Sequence, residues 1–280
     1  MSQDRKEFWN RKTYCLITGA SQGIGRQISI EFAQKVGPGS TFLLLARNID
    51  NLNETKRLME EVSNDINVFV HSFNFYEPVN IELHKIIYQS LDMFSKNVDD
   101  FDLSIIVHNA GSLGDITEST YDIKNIEKLN SYFMLNFFSV CVLNAEFLKI
   151  FDADKRPPNP IDLQPYCEIC IVNITSLCAV KPFASMGYYC VGKASREMFF
   201  SVMAEENKKY SILSYSPGPV KTDMIDEILN NVGDEEVKKM FVNMKKDNAI
   251  LTAEESVKKL VKILGERNFK SGSRVDFYDV

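Results

Sequence analysis

Histidine is scarce in this chain, and the three present, His71, His84 and His108, pair with cysteine at no zinc-ligand spacing, so no metal site is expected. Basic residues do not predominate either. With 32 Lys and Arg against 38 Asp and Glu, the net charge is -6, which provides no surface for neutralising nucleic-acid phosphates or anionic lipid. A small-molecule substrate is expected instead, with neither nucleic acid nor membrane as partner. A long apolar run is also missing. The longest uncharged stretch, Leu129 to Ala145, is interrupted by Asn130, Asn136 and Asn144, and predicts a buried amphipathic helix rather than a membrane span. Near the start, Asp4, Arg5, Lys6, Glu7, Arg11 and Lys12 leave no apolar core for a signal peptide, so a cytoplasmic location is expected.

Six cysteines, Cys15, Cys141, Cys167, Cys170, Cys178 and Cys190, are present, five of them in apolar or helical stretches that predict free thiols. Cys167-Glu168-Ile169-Cys170 has the spacing of a redox pair. It opens an expected strand, however, where residues three apart point to opposite faces. Repeats and low-complexity tracts are absent. The one proline cluster, Arg156-Pro157-Pro158-Asn159-Pro160, predicts a surface loop, and 45% hydrophobic with 25% charged residues suits one globular domain over residues 1–280.

Apolar runs alternate with helix-length charged segments. Strands are expected at Tyr14 to Thr18, Thr41 to Ala46, Asn67 to Phe73, Leu103 to His108, Glu168 to Ile174, Ser211 to Tyr215 and Arg274 to Phe277. Helices are expected over Ile24 to Val36, stopping at Gly37-Pro38-Gly39, and around 50–64, 78–96, 122–150, 186–208, 223–245 and Ala253 to Leu264. Such alternation predicts an α/β fold, a single-domain doubly wound parallel sheet of the Rossmann type with about seven strands and helices on both faces. Ligands of such sheets sit beyond the carboxyl ends of the strands.

Chemistry-bearing residues cluster at those ends. Thr18-Gly19-Ala20-Ser21-Gln22-Gly23-Ile24-Gly25 joins the first strand to the first helix, and its glycines would let backbone N–H groups approach a pyrophosphate. The second strand ends at Arg47-Asn48, where an NAD site would carry an acid for the ribose hydroxyl. A guanidinium there can pair with the extra phosphate of NADP, so NADPH is the expected cofactor. Tyr189 and Lys193 lie at i and i+4 on one helix face, a spacing that suits proton transfer by a phenol beside a cation. Ser176 follows the fifth strand, within reach of the same substrate oxygen.

Taken together these motifs resemble the short-chain dehydrogenase/reductase family, over about Thr13 to Tyr278. The cofactor turn is matched at Thr18, Gly19, Gly23 and Gly25, the family's Asn-Ala-Gly at Asn109-Ala110-Gly111, and its catalytic set at Asn136, Ser176, Tyr189 and Lys193. The resemblance implies NADPH-dependent carbonyl reduction, with Tyr189 as proton donor, Ser176 orienting the carbonyl, Lys193 beside the phenol and the nicotinamide ribose, and Asn136 holding a water that leads to Lys193. It also implies cofactor contacts at Ser21, Ile24, Asn48 and Asn74, and at Pro217, Gly218 and Thr222 around the nicotinamide.

Two departures stand out. Gln22 occupies a position that is often basic in NADPH-dependent members, and Asn74 replaces the usual aspartate near adenine. Pairing as a homodimer through 122–150 and 186–208 is a further implication. Four stretches are similar to pterin-reducing members: Asn109 to Asp115, Ser176 to Ala179, Pro217-Gly218-Pro219 with Thr222-Asp223-Met224, and Lys270-Ser271-Gly272 leading to Val275-Asp276-Phe277-Tyr278-Asp279. Those imply a pterin side-chain ketone as substrate, a substrate-binding part mainly in 176–280, and Asp276 as the ring's anchor. A general carbonyl or diketone reductase has the same catalytic set, and a non-catalytic nucleotide sensor of the same fold is the remaining alternative.

Overall fold

The apolar runs become the strands β1 (Thr13–Thr18), β2 (Ser40–Ala46), β3 (Ile66–Ser72), β4 (Leu103–His108), β5 (Glu168–Ile174), β6 (Ser211–Ser216) and β7 (Ser273–Asp276). The structure is a computed structural model that describes residues 7–77, 82–156 and 167–279. All seven strands pair in parallel, in the order β3-β2-β1-β4-β5-β6-β7. β1, β2 and β4 are buried at every position, which is why they read as continuous apolar runs rather than alternating ones.

Helices α1 (Gly23–Ala33), α2 (Ile49–Val62), α3 (Glu82–Asp92), α4 (Ile126–Phe133), α5 (Ser139–Phe151), α6 (Gly187–Glu206), α7 (Asp223–Asn231), α8 (Glu235–Lys246) and α9 (Ala253–Glu266) complete the fold. The two-residue period of the strands divides the core. Cys15 and Ile17 face one layer with Phe32 of α1 and Leu260 of α9, whereas Tyr14 and Leu16 face the other with Ile87 of α3, Phe147 of α5 and Phe200 of α6. The chain changes direction across the sheet between β1 and β4, which opens a crevice at their carboxyl ends.

Two expected helices turn out to be interrupted. The segment 122–150 becomes α4, capped by the Asn125 side chain on Lys128 N at 2.9 Å, then a π turn over Met134–Phe138, then α5. By length and composition Ile126–Phe151 could span a bilayer, yet half of its most apolar window is buried inside this chain. The segment 223–245 breaks at Gly233, whose N–H bonds Ile116 O at 2.8 Å, and Asp234 then caps α8 through Val237 N at 2.9 Å. Hydrophobic period reports neither break. α1 also ends at Ala33, short of Val36, since Val36 still bonds back to Phe32 O at 3.0 Å but Gly37 N turns to Arg11 O at 2.7 Å. All six cysteines are free, and most of the proline cluster lies outside the described residues.

Candidate active site

At the end of β1 the Thr18 hydroxyl accepts hydrogen bonds from the N–H groups of Asn109 and Ala110, both at 3.0 Å. The Asn109 amide returns the link by donating to Thr18 O at 3.0 Å and Gly19 O at 3.1 Å. The two turns at the switch point are thereby locked together. Gly19 sits at φ 67°, and a Cβ on Gly25 would stand 2.2 Å from Gly19 O, so the fold requires glycine at both places. The amino end of α1 has no side-chain cap on its N–H groups and no acid in its first turn, which leaves those amides for an anionic ligand. A cleft of about 700 Å³ opens there, lined by Gly19, Ser21, Gly23, Ile24, Ala110 and Gly111 among others. Uncapped amides and a glycine cradle fit the pyrophosphate of a dinucleotide.

The far end of the cleft holds Arg47 and Asn48. The Arg47 guanidinium lies 5.4 Å from the Tyr76 ring centroid, and the Asn48 side chain caps α2 on Asn51 N at 2.9 Å. Asn74 is not brought into the lining. Its amide donates to Glu77 Oε1 at 2.9 Å, and the neighbouring Phe73, Phe75 and Tyr76 line the cleft in its stead. At the mouth, Gln22 Nε2 donates to Asp223 Oδ2 at 2.8 Å, which joins the turn to the start of α7. Thr222, also in the lining, is the N-cap residue of α7, while Pro217 O accepts from Ser256 Oγ at 2.8 Å and Gly218 adopts φ 73°.

After β5, the Ser176 hydroxyl accepts from Cys178 N at 3.2 Å and lies close enough to the Tyr189 phenol to act on its ionisation. Burial, then the nearby Cys178 thiol, push the phenol above its ordinary value, against the Ser176 hydroxyl and the charge of Arg196. Lys193 lies with its Nζ 5.5 Å from the Tyr189 ring centroid and donates to Ile174 O at 2.7 Å. Burial first, and Arg196 second, hold its ammonium well below the usual lysine value.

Asn136 sits in the π turn, a feature that often marks functional positions. Its Oδ1 accepts from Ser112 N at 2.9 Å and its Nδ2 donates to Tyr132 O at 2.9 Å and Ser112 Oγ at 3.2 Å. The side chain thus pins the turn beyond Gly111 to α4. Asp276 closes β7 beside Ser216. Its carboxylate accepts from Arg274 Nη2 at 2.7 Å and from Tyr278 N at 3.2 Å, and Arg274 reaches on to Glu197 at 3.4 Å. Glu197 in turn accepts from Thr175 Oγ1 at 2.5 Å, next to Ser176.

Several residues here escape a reading by motif. Asn51 and Leu135 line the cleft without a distinctive spacing, and Arg196 has no signal beyond its place one helical turn after Lys193.

A family model described as short chain dehydrogenase matches residues 13–233. Sepiapterin reductase of Xenopus laevis is 33% identical over 270 residues, covering 95% of each chain, and that of Mus musculus is 29% identical over 265 residues, covering 95% of this chain and 96% of its own. Benzil reductase ((S)-benzoin forming) of Bacillus cereus is 26% identical over 279 residues, covering 94% of this chain and 99% of its own. A solved short chain dehydrogenase of Shigella flexneri complexed with NADP shares the fold with a TM-score of 0.72 at 19% identity, over 98% of this chain and 99% of its own.

Proposed function

Since the chain belongs to the short-chain dehydrogenase family of oxidoreductases, we propose that it reduces the side-chain ketone of a pterin with NADPH. The observation that carries the proposal is Lys193, buried 5.5 Å from the Tyr189 ring and fixed by Ile174 O, with Ser176 beside the phenol, in a chain whose similarity to sepiapterin reductases spans 95% of its length. NADPH, when bound, supplies the hydride. The uncapped amides of α1 and the Gly19–Gly25 turn would hold its phosphates, and Arg47 its 2′-phosphate.

Ser176 orients the substrate carbonyl by donating a hydrogen bond to its oxygen, and Tyr189 delivers the proton to that same oxygen. Lys193, fixed by Ile174 O, stands beside the phenol and the ribose position. Asn136 keeps the Gly111–Ser112 turn against α4, and the resemblance gives it a water leading to Lys193. Purified protein should oxidise NADPH with sepiapterin faster than with simple diketones. The reverse order of rates would favour a general diketone reductase, the reading that the similarity to benzil reductase supports.

Arg47→Ala should raise KM for NADPH about 10- to 150-fold, the value of one charge-assisted contact of roughly 1.5 to 3 kcal/mol. Its KM for NADH should stay within about twofold of the wild type, because NADH has no phosphate to lose a partner. Equal wild-type use of both cofactors would refute the assignment of Arg47.

Two chains are proposed to pair through α4–α5 and α6. Phe138 and Val142 stay exposed on the first, and Val191, Met198 and Val202 form an exposed stripe on the second. Light scattering should report a dimer for the wild type and a monomer for Met198→Glu, which places a charge in the middle of that stripe.

A further inference from the structure

Arg196 heads the fully buried side chains by volume, at 0% exposure, and the mechanism above does not use it. It projects from α6, and its guanidinium reaches the carboxyl ends of two strands. Nε donates to Asn173 Oδ1 on β5 at 2.8 Å, Nη1 to Ala110 O at 3.0 Å, and Nη2 to His108 O at the end of β4. Asn173 passes the link to β6 through Ser214 Oγ at 3.1 Å. Every one of these acceptors is neutral. The ionisable groups that favour its charge are the phenols of Tyr132 and Tyr189 and the thiol of Cys141, and burial still holds the guanidinium down to about 10. A buried charge without a carboxylate is costly, and a methionine of similar length would fill the space without that cost.

We propose that Arg196 is a positioning residue: its fork holds the Asn109-Ala110-Gly111 turn, a wall of the dinucleotide cleft, in register with the helix that carries Tyr189 and Lys193. This follows from the three hydrogen bonds, since two of the acceptors are the carbonyls on either side of Asn109. An ammonium could not span acceptors on two strands as a planar fork does.

The role rests on the reading of the cleft as the NADPH site and not on the carbonyl substrate, so it is tested by the NADPH dissociation constant, from the fluorescence of the bound nucleotide, at unchanged Tm.

Arg196→Met should weaken NADPH binding about 10-fold. Arg196→Lys should weaken it to a similar degree, because an ammonium cannot span these acceptors as the planar fork does. Folding is checked by far-UV circular dichroism and Tm. A folded methionine variant with wild-type NADPH affinity overturns the proposal. If that variant does not fold, the lysine variant decides: wild-type NADPH affinity refutes the positioning role. A wild type that binds NADPH but reduces no carbonyl would refute the reductase reading alone, and the binding comparison would still test the turn.

Discussion

Tyr189→Phe is expected to lower turnover on every carbonyl substrate by ~10²- to 10⁴-fold, the usual value of general acid catalysis, while NADPH binding and Tm stay close to the wild type. The ring of Tyr189 is 8% exposed and packs in a small apolar cluster with Leu113, Ile116, Met186 and Ile228, contacts that phenylalanine keeps. Only the hydroxyl goes. Stability should change little, because Ser176 keeps Cys178 N as a partner. Retention of more than half of the wild-type kcat would refute Tyr189 as the proton donor.

How far the sequence discloses this site depends on whether the interaction is local. β1, β2 and β4 are legible because both faces of a parallel sheet are covered, which makes the strand a continuous apolar run. The turn Gly19–Gly25 is legible because close approach of backbone to backbone admits only glycine. Tyr189 and Lys193 are legible because i, i+4 spacing on a helix has one geometric consequence.

The breaks at Met134–Phe138 and at Gly233 are not legible, since partners distant in sequence meet the chain there, Ser112 at Asn136 and Ile116 at Gly233. Arg196 reads in sequence as one more charge on a helix. Its meaning lies in carbonyls separated from it by 86 and 88 positions, and no periodicity reports them. Asn74 shows the converse. Its position at the end of the third strand points toward the nucleotide, while the local hydrogen bond to Glu77 turns the amide away from the cleft lining.

Asp276→Asn should reduce kcat/KM for sepiapterin by about 100-fold or more and leave kcat/KM for a small diketone within about threefold, provided that the carboxylate anchors the pterin ring. A pterin presents its 2-amino group and N3–H as adjacent donors, and a carboxylate presents two acceptors at a matching separation, whereas an asparagine presents only one. In the structure each Asp276 oxygen already accepts one bond, Oδ2 from Arg274 and Oδ1 from Tyr278 N, and each can accept another. The single bond from Arg274 Nη2 orients the carboxylate without consuming its acceptor capacity, and Arg274 is itself tied through Glu197 to Thr175, the neighbour of Ser176. A ring held at this end would carry its side-chain ketone toward Ser176 and Tyr189, so binding energy remote from the reacting carbon becomes orientation at it. A diketone has no such edge and should not register the change. Equal loss on both substrates, accompanied by a lower Tm, would assign Asp276 to the Arg274–Glu197 ion-pair chain as a structural element. No loss on either would remove the pterin anchor and leave the general diketone reductase as the better reading.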